Sequence, residues 1–277
     1  FLATLLFEGG QFGKAAELFA SDDSVESQGY LLKCLYEQNK QTRFYKQLDY
    51  LVGRGENNAV IGSYISRSEI RYGIKKPNPF CNDPFKYVLK RDLTEQCDFK
   101  KIFVQGAATI LSDNKVQQRT QGRLTNGIQT AGNVFTQCGA VTDEIQKIIY
   151  SELENYRKYF ENSREGLIQN WPKSYKISGW LVSMKSGGEL SAHIHDSGWL
   201  TGSVYINVPP KVKVDSGNLV VTTDDSKNGV GDPQNKISLD VVTGNLCLFP
   251  SSLLHYTIPF EADENRIVLA FDVVPSQ

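Results

Sequence analysis

Histidine is almost missing from these 277 residues: three occur, and none stands before position 193. Charge of one sign is missing too. Thirty lysines and arginines against 31 acids leave a formal charge of −1, so no field gathers nucleic acid or an anionic membrane surface. The lysine-bearing pieces NKQTRFYK and GIKKPNPF are short, mixed and read as solvated surface. No apolar run approaches the ~20 residues that span a bilayer, and no signal peptide is visible. Neither nucleic acid nor a membrane is expected as a partner. The five cysteines (Cys34, Cys81, Cys97, Cys138, Cys247) are odd in number, widely spaced and without a CxxC pair. That pattern excludes a disulfide framework and a structural zinc site, and reduced thiols suit a cytoplasmic protein. There is no GxSxG elbow, and Gly187-Gly188, read as a turn, has no Walker lysine. The chain opens on FLATLLFEGG without a methionine, as a piece cut from something longer would.

What is present changes character along the chain. Residues 1–75 show apolar spacing of helices, in LATLLFEGGQFGKAAELFA, YLLKCLYEQNKQTRFYKQLDYLV and NAVIGSYISRSEIRYGI. Gly10-x-Phe12-x-x-Ala15-x-x-x-Phe19 resembles the second half of a tetratricopeptide repeat, and the next segment repeats the idea with Cys34 and Leu35 facing Phe44 and Leu48. KKPNPFCNDPF puts three prolines in eleven residues and marks a connector, 76–100. Within 101–277, KIFVQ reads as a strand, and VTDEIQKIIYSELENYRKYFENS as a long amphipathic helix with Asp143 and Glu144 in its first turn. From about residue 176 only short strands follow: YKISGWLVSM, GSVYINV, GNLVVTT, KISLDVV, NLCLFP and RIVLAFDVV, divided by turn residues. Six or more such strands predict a sandwich or barrel, with the helix over one face.

All three histidines fall in this last region, in LSAHIHDSGW and FPSSLLHYTIPF. Residues two apart on a strand share a face, so His193 and His195 project together with Ile194 opposed. His255 follows 60 residues after His195, at the end of the apolar run NLCLFPSSLLH. A barrel can bring the two runs side by side, and neutral imidazole ligates iron, copper, nickel or zinc. Arg266 opens the apolar strand RIVLAFDVV and needs an anionic partner once buried. Asp272, Glu261 or the carboxylate of a small acid could serve. Trp180, Trp199 and Tyr256 flank the motifs, and core packing accounts for at least two of them.

The combination SGWLVSMKSGGELSAHIHDSGWLTGSVYINVP, GNLCLFPSSLLHYTIPF and NRIVLAFDV resembles the 2-oxoglutarate- and iron(II)-dependent oxygenases, over about residues 176 to 274. NPFCNDPFKYV and LTNGIQTAGNVF resemble that family's upstream region. The resemblance implies an α+β chain: a double-stranded β-helix (a jelly-roll, cupin-like barrel) with supporting helices, preceded by an all-α helical-hairpin, tetratricopeptide-like domain. It implies Fe(II), the small-molecule cosubstrate 2-oxoglutarate and O2 as cofactors, with hydroxylation of a C–H bond of an unidentified substrate as the reaction. The repeat-like front points to a peptide or protein substrate, although such helices also serve as packing or dimerisation surfaces. His193 becomes the first iron ligand and His255 the distal one. Arg266 grips the far carboxylate of 2-oxoglutarate, and Tyr205 or its same-face competitor Ser203 makes a second cosubstrate contact.

One departure stands out. The wider superfamily has His-x-Asp or His-x-Glu, and here the third position is His195. Either three histidines hold iron, or His195 stands one shell out with water in place of the carboxylate, or a bulge turns Asp196 inward; the three-histidine set is adopted. Two other classes compete with the oxygenase. Gly187 and Gly244 precede the ligand motifs at spacings of a three-histidine cupin dioxygenase that uses no 2-oxoglutarate. The glutamate that motif expects after His195 is replaced by Trp199 and Leu200. A non-catalytic, tetratricopeptide-like scaffold is the other.

Overall fold

In a computed structural model, which describes residues 1–225 and 232–276, the chain divides into two compact units, Phe1–Asn82 and Asp83–Gln277. The first is all helix: α1 (Leu2–Glu8), α2 (Phe12–Phe19), α3 (Val25–Glu37), α4 (Gln41–Gly53) and α5 (Ala59–Tyr72). Polar caps set two of the starts. Ser24 accepts from the Ser27 amide at 3.3 Å and Asn58 from the Ile61 amide at 3.1 Å, each satisfying an otherwise orphaned N–H. One core joins the five helices, with Cys34 and Leu35 in the same cluster as Phe44 and Leu48, and Phe19 stacked on Tyr30 at 4.8 Å. Ala15 is fully buried there, where a larger side chain would hold the helices apart.

The second unit opens with strand β1 (Leu89–Asp92). Residues 100–104 are π-helical and run into α6 (Gln105–Ser112), so the KIFVQ segment expected as a strand is helical. The reason is visible in Phe103, Ala107 and Ile110, buried at helical spacing. Strands β2 (Gln118–Arg119) and β3 (Leu124–Thr130) precede α7 (Val134–Gln137), α8 (Gly139–Tyr159) and α9 (Gly166–Gln169). The long helix α8 buries Ile145, Ile149, Leu153 and Tyr156 on one stripe. It begins at Gly139, so Asp143 and Glu144 stand in its second turn rather than its first.

Seven further strands follow: β4 (Tyr175–His193), β5 (Leu200–Asn207), β6 (Leu219–Thr222), β7 (Lys236–Leu239), β8 (Asn245–Pro250), β9 (Leu254–Thr257) and β10 (Arg266–Pro275). Every pairing is antiparallel, in the order β1-β8-β5-β10-β4-β9-β6-β7, with β3 also on β4 and β2 on β3. The non-sequential order and the curl of β4 onto β9 make the double-stranded β-helix. Its inner side is lined by Tyr205, Leu219, Val221, Cys247, Phe249 and Val268. β10 lies between two layers, and residues on both its faces are buried.

Two details differ from the sequence reading. β4 continues through Gly187-Gly188 instead of turning there; the Gly187 amide donates to the Phe260 carbonyl, and the ladder to β3 slips between Thr125 and Gly127 to absorb the extra residues. The run NLCLFPSSLLH is two strands, β8 and β9, separated by a turn in which the Leu253 amide donates to the Pro250 carbonyl at 3.0 Å.

Candidate metal and cosubstrate site

The curl of the sheet brings the three imidazoles together. His193 ends β4 and faces His255 of β9 as a cross-strand pair. A bulge sits just before it: Leu190 pairs with Thr257, so three residues of β4 span two of β9. Regular alternation would put Leu190 and His193 on opposite faces, and the extra residue returns them to one. His195 lies just past the end of β4, in the turn closed by the Gly198 amide donating to the His195 carbonyl at 3.0 Å.

Ring centroids are 5.1 Å apart for His193 and His195, 4.3 Å for His193 and His255, and 4.8 Å for His195 and His255. One nitrogen from each ring lies within 4.8 Å of the others. Asp196 is exposed and stands outside this group.

Each ring is held by its Nδ1. His193 Nδ1 is 2.7 Å from the Ser191 carbonyl, His195 Nδ1 is 2.6 Å from Asp272 Oδ1, and His255 Nδ1 is 3.4 Å from the Leu253 carbonyl. These oxygens only accept, so the ring proton sits on Nδ1 and Nε2 keeps its lone pair. The Nε2 atoms of His193 and His195 face each other at 3.2 Å. Two lone pairs that close repel each other unless a proton or a cation lies between them, and neutral imidazoles grouped in this way are metal ligands. Burial, reinforced by His195, lowers His193 to about 3, and burial with the other two rings holds His255 well below the ordinary histidine range. Both stay neutral, as ligation requires.

Across the same interior lies Arg266, 2% exposed. Its Nη2 donates to the Gly217 carbonyl at 2.8 Å, its guanidinium is 5.1 Å from the Tyr205 ring, and its Nε has no hydrogen-bond partner. The sequence offered Asp272 and Glu261 as counter-ions. Asp272 is engaged with His195, and Glu261 reaches exposed Lys213 at 3.9 Å. Among the described residues no carboxylate pairs with Arg266. Burial depresses its pKa, with Tyr205 partly opposing. Burial likewise drives the Tyr205 phenol upward, while hydrogen bonding from Arg266 and Ser203 acts the other way. Thr201, Ser203 and Tyr205 alternate along β5 opposite Asp272, Ala270 and Val268 of β10. The neighbouring Cys247 thiol is pushed up to about 12 by burial and stays protonated.

Of the flanking aromatics, Trp180 approaches the site, its ring 5.4 Å from His195. Trp199 is a buried anchor whose Nε1 donates to the Leu167 carbonyl at 2.8 Å, and Tyr256 alternates with His255 on β9 and so points away. Sequence reasoning missed the carboxylate behind His195 and its companions: Thr201 Oγ1 donates to Asp272 Oδ1 at 2.9 Å and lies 2.8 Å from Ser251 Oγ. A signal existed, since Asp272 shares the strand parity of Arg266.

Residues 178–272, which contain all three histidines, Arg266 and Asp272, match the family model described as "Putative 2OG-Fe(II) oxygenase". These residues form a 2OG-Fe(II) oxygenase domain by that match, an oxidoreductase module whose cofactors are iron(II) and 2-oxoglutarate, with O2 as the usual oxidant. Among curated proteins none matches the chain. Similar solved structures include a Pseudomonas putida prolyl-4-hydroxylase (11% identity, 78% of this chain, 99% of that one, TM-score 0.43). Another is a Trichoplax adhaerens prolyl hydroxylase solved with a hypoxia inducible factor peptide (11%, 76% and 88%, 0.48). A third is a viral collagen prolyl hydroxylase from Paramecium Bursaria Chlorella virus-1 (14%, 69% and 97%, 0.40). Among the described residues no helix is long and apolar enough to cross a membrane.

Proposed function

We propose that this oxygenase holds iron(II) with His193, His195 and His255, binds 2-oxoglutarate through Arg266, Tyr205 and Ser203, and hydroxylates a C–H bond of a peptide or protein. The observation that carries the reading is a juxtaposition in one interior: three converging imidazole nitrogens, and a buried guanidinium that, among the described residues, has no acid to meet it. A metal ion on the imidazoles, with a dicarboxylate reaching from it to Arg266, answers both. Arg266 supplies a charge-assisted donor from Nε and fixes how far the cosubstrate enters. Tyr205, held as a neutral phenol, adds a donor that persists at any physiological pH, and Ser203 shares the same row. Val221, Phe249 and Val268 exclude water from that end. The metal with its cosubstrate, when bound, supplies oxidative decarboxylation coupled to C–H hydroxylation; the side chains supply placement and a dry wall. A peptide-class substrate is supported by the helical unit, since stacked helices present extended surfaces for chains. Free thiols at all five cysteines support a cytoplasmic setting.

The test is succinate release and 2-oxoglutarate consumption by the iron-loaded chain, with and without R266A. Turnover lost in the variant supports the oxygenase. Metal binding with no 2-oxoglutarate turnover in the wild type, across a library of peptides, would favour the scaffold reading.

A further inference from the structure

Asp272 is 8% exposed, and its one charged or chargeable neighbour within ion-pairing distance, among the described residues, is His195 at 2.6 Å. Its Oδ1 accepts from both His195 Nδ1 and Thr201 Oγ1. Among the described residues no lysine or arginine neutralises it. A carboxylate buried against an imidazole and a hydroxyl is an expensive arrangement unless positive charge arrives through that imidazole. The opposite nitrogen of that same imidazole faces His193 Nε2 at 3.2 Å, where the positive centre belongs.

We propose that Asp272 is the acidic member of this metal site, displaced one shell outward: it acts through His195 and replaces the carboxylate that the His-x-Asp pattern would place on the ion directly. The inference rests on the reading of the three histidines as ligands. With a divalent ion, three neutral imidazoles leave a formal charge of +2. Counting Asp272 brings the assembly to +1, the value that two histidines and one carboxylate give. A carboxylate on the far nitrogen of a ligating histidine also fixes its tautomer, aims its ring and raises its basicity. Asp272 is therefore a positioning residue, and Thr201, with Ser251 behind it at 2.8 Å, holds the carboxylate in its rotamer. The arrangement explains how position 195 can be histidine without loss of the site's negative charge.

The experiment uses the full chain, stripped of metal, and Co(II) as an optical probe titrated anaerobically through its visible bands. D272N keeps an oxygen acceptor in place and removes only the charge. It should bind Co(II) 10–100-fold more weakly, with shifted bands and little change in metal-free melting temperature. The decisive comparison is the exchange H195D. Alone it sets two carboxylates side by side and should bind poorly; H195D/D272N, with the acid moved inward, should bind more tightly than H195D. The same substitution thus weakens binding in one background and strengthens it in the other, which a merely structural role would not produce. D272N titrating like the wild type, or weakening both backgrounds alike, overturns the proposal. Should D272N fail to fold, T201V reads the same contact: weaker Co(II) binding supports it, and an unchanged titration overturns it. H193A and H255A serve a separate purpose. If they bind Co(II) as the wild type does, the three-histidine reading itself falls, whatever Asp272 does.

Discussion

Arg266 and Asp272 stand six residues apart on the same face of β10, both buried, and neither neutralises the other. At the rise of a strand they are about 20 Å apart. Among the described residues, one end of the barrel interior holds a guanidinium with no carboxylate and the other a carboxylate with no lysine or arginine. A metal ion and a dicarboxylate laid along that strand complete both.

The cation should therefore be a burden to the ligand-free protein. Replacing a buried charge by an apolar chain of similar volume is often neutral or stabilising by about 1–4 kcal/mol. R266M should melt at or above the wild type when metal-free and cosubstrate-free. The wild type with Mn(II) should gain stability on adding 2-oxoglutarate, about 2.7 kcal/mol at a hundredfold excess over Kd, and R266M should gain none. Differential scanning calorimetry reads both. A variant that is less stable when empty and still responds to 2-oxoglutarate would contradict the assignment.

Acid should destabilise the metal-free barrel by a definite route. The unfolded chain takes protons on His193 and His255 near their ordinary value of 6.5, while the fold holds His193 at about 3 and His255 well below normal. Between those limits the unfolded state binds more protons, so stability is intact above pH 6.5 and falls as the pH drops toward 3. Melting temperatures measured from pH 7 to pH 4 should decline, and H255A should decline less steeply. A slope unchanged in H255A would show that this ring is not held neutral by the fold.

Two glycine substitutions should separate folding from site geometry. A Cβ at Gly202 would lie 2.1 Å from the Phe271 ring, on the side of the sheet away from the histidines. A Cβ at Gly198 would lie 2.5 Å from Ser251 Oγ and 3.2 Å from Asp272 Oδ1. G202A should cost about 1–3 kcal/mol of stability through overpacking while the folded fraction binds Co(II) normally. G198A should weaken Co(II) binding even where folding is complete. Equal metal affinities in the two folded variants would refute this division.

Y205F removes one donor from the cosubstrate row and leaves the ring under Arg266. The expected result is a raised KM for 2-oxoglutarate, by about tenfold for a loss of ~1.4 kcal/mol, with Co(II) affinity unchanged. Steady-state kinetics beside a Co(II) titration decide it.

Much of this architecture was legible in the sequence, for physical reasons. Short strands divided by turn residues gave the barrel, and the stripe of Ile145, Ile149, Leu153 and Tyr156 gave α8. His193, His195 and His255 were conspicuous because the chain has no others. The failures came where tertiary context overrides a local pattern. KIFVQ has the apolar composition of a strand, but its true period appears only when Ala107 and Ile110 are read with Phe103. Gly187-Gly188 looked like a turn because nothing local reveals that Phe260 will accept from the Gly187 amide. Asp272 stood in the sequence as one of three possible partners for Arg266, beside Glu261 and the carboxylate of a small acid. Only the pairing of Asp272 with Thr201 across β10 and β5 sends the carboxylate toward His195.

The bulge before His193 has a consequence for anyone who would transplant this centre. The tetrapeptide Ala-His-Ile-His looks portable, yet its first ring is aimed by one supernumerary residue measured against Thr257 and His255, and its second by a turn beyond the strand. Grafted onto a regular hairpin, the letters would travel and the geometry would stay behind. Deleting a single residue between Leu190 and His193 should do the same damage in place, rotating the first imidazole out of the barrel while every histidine is kept.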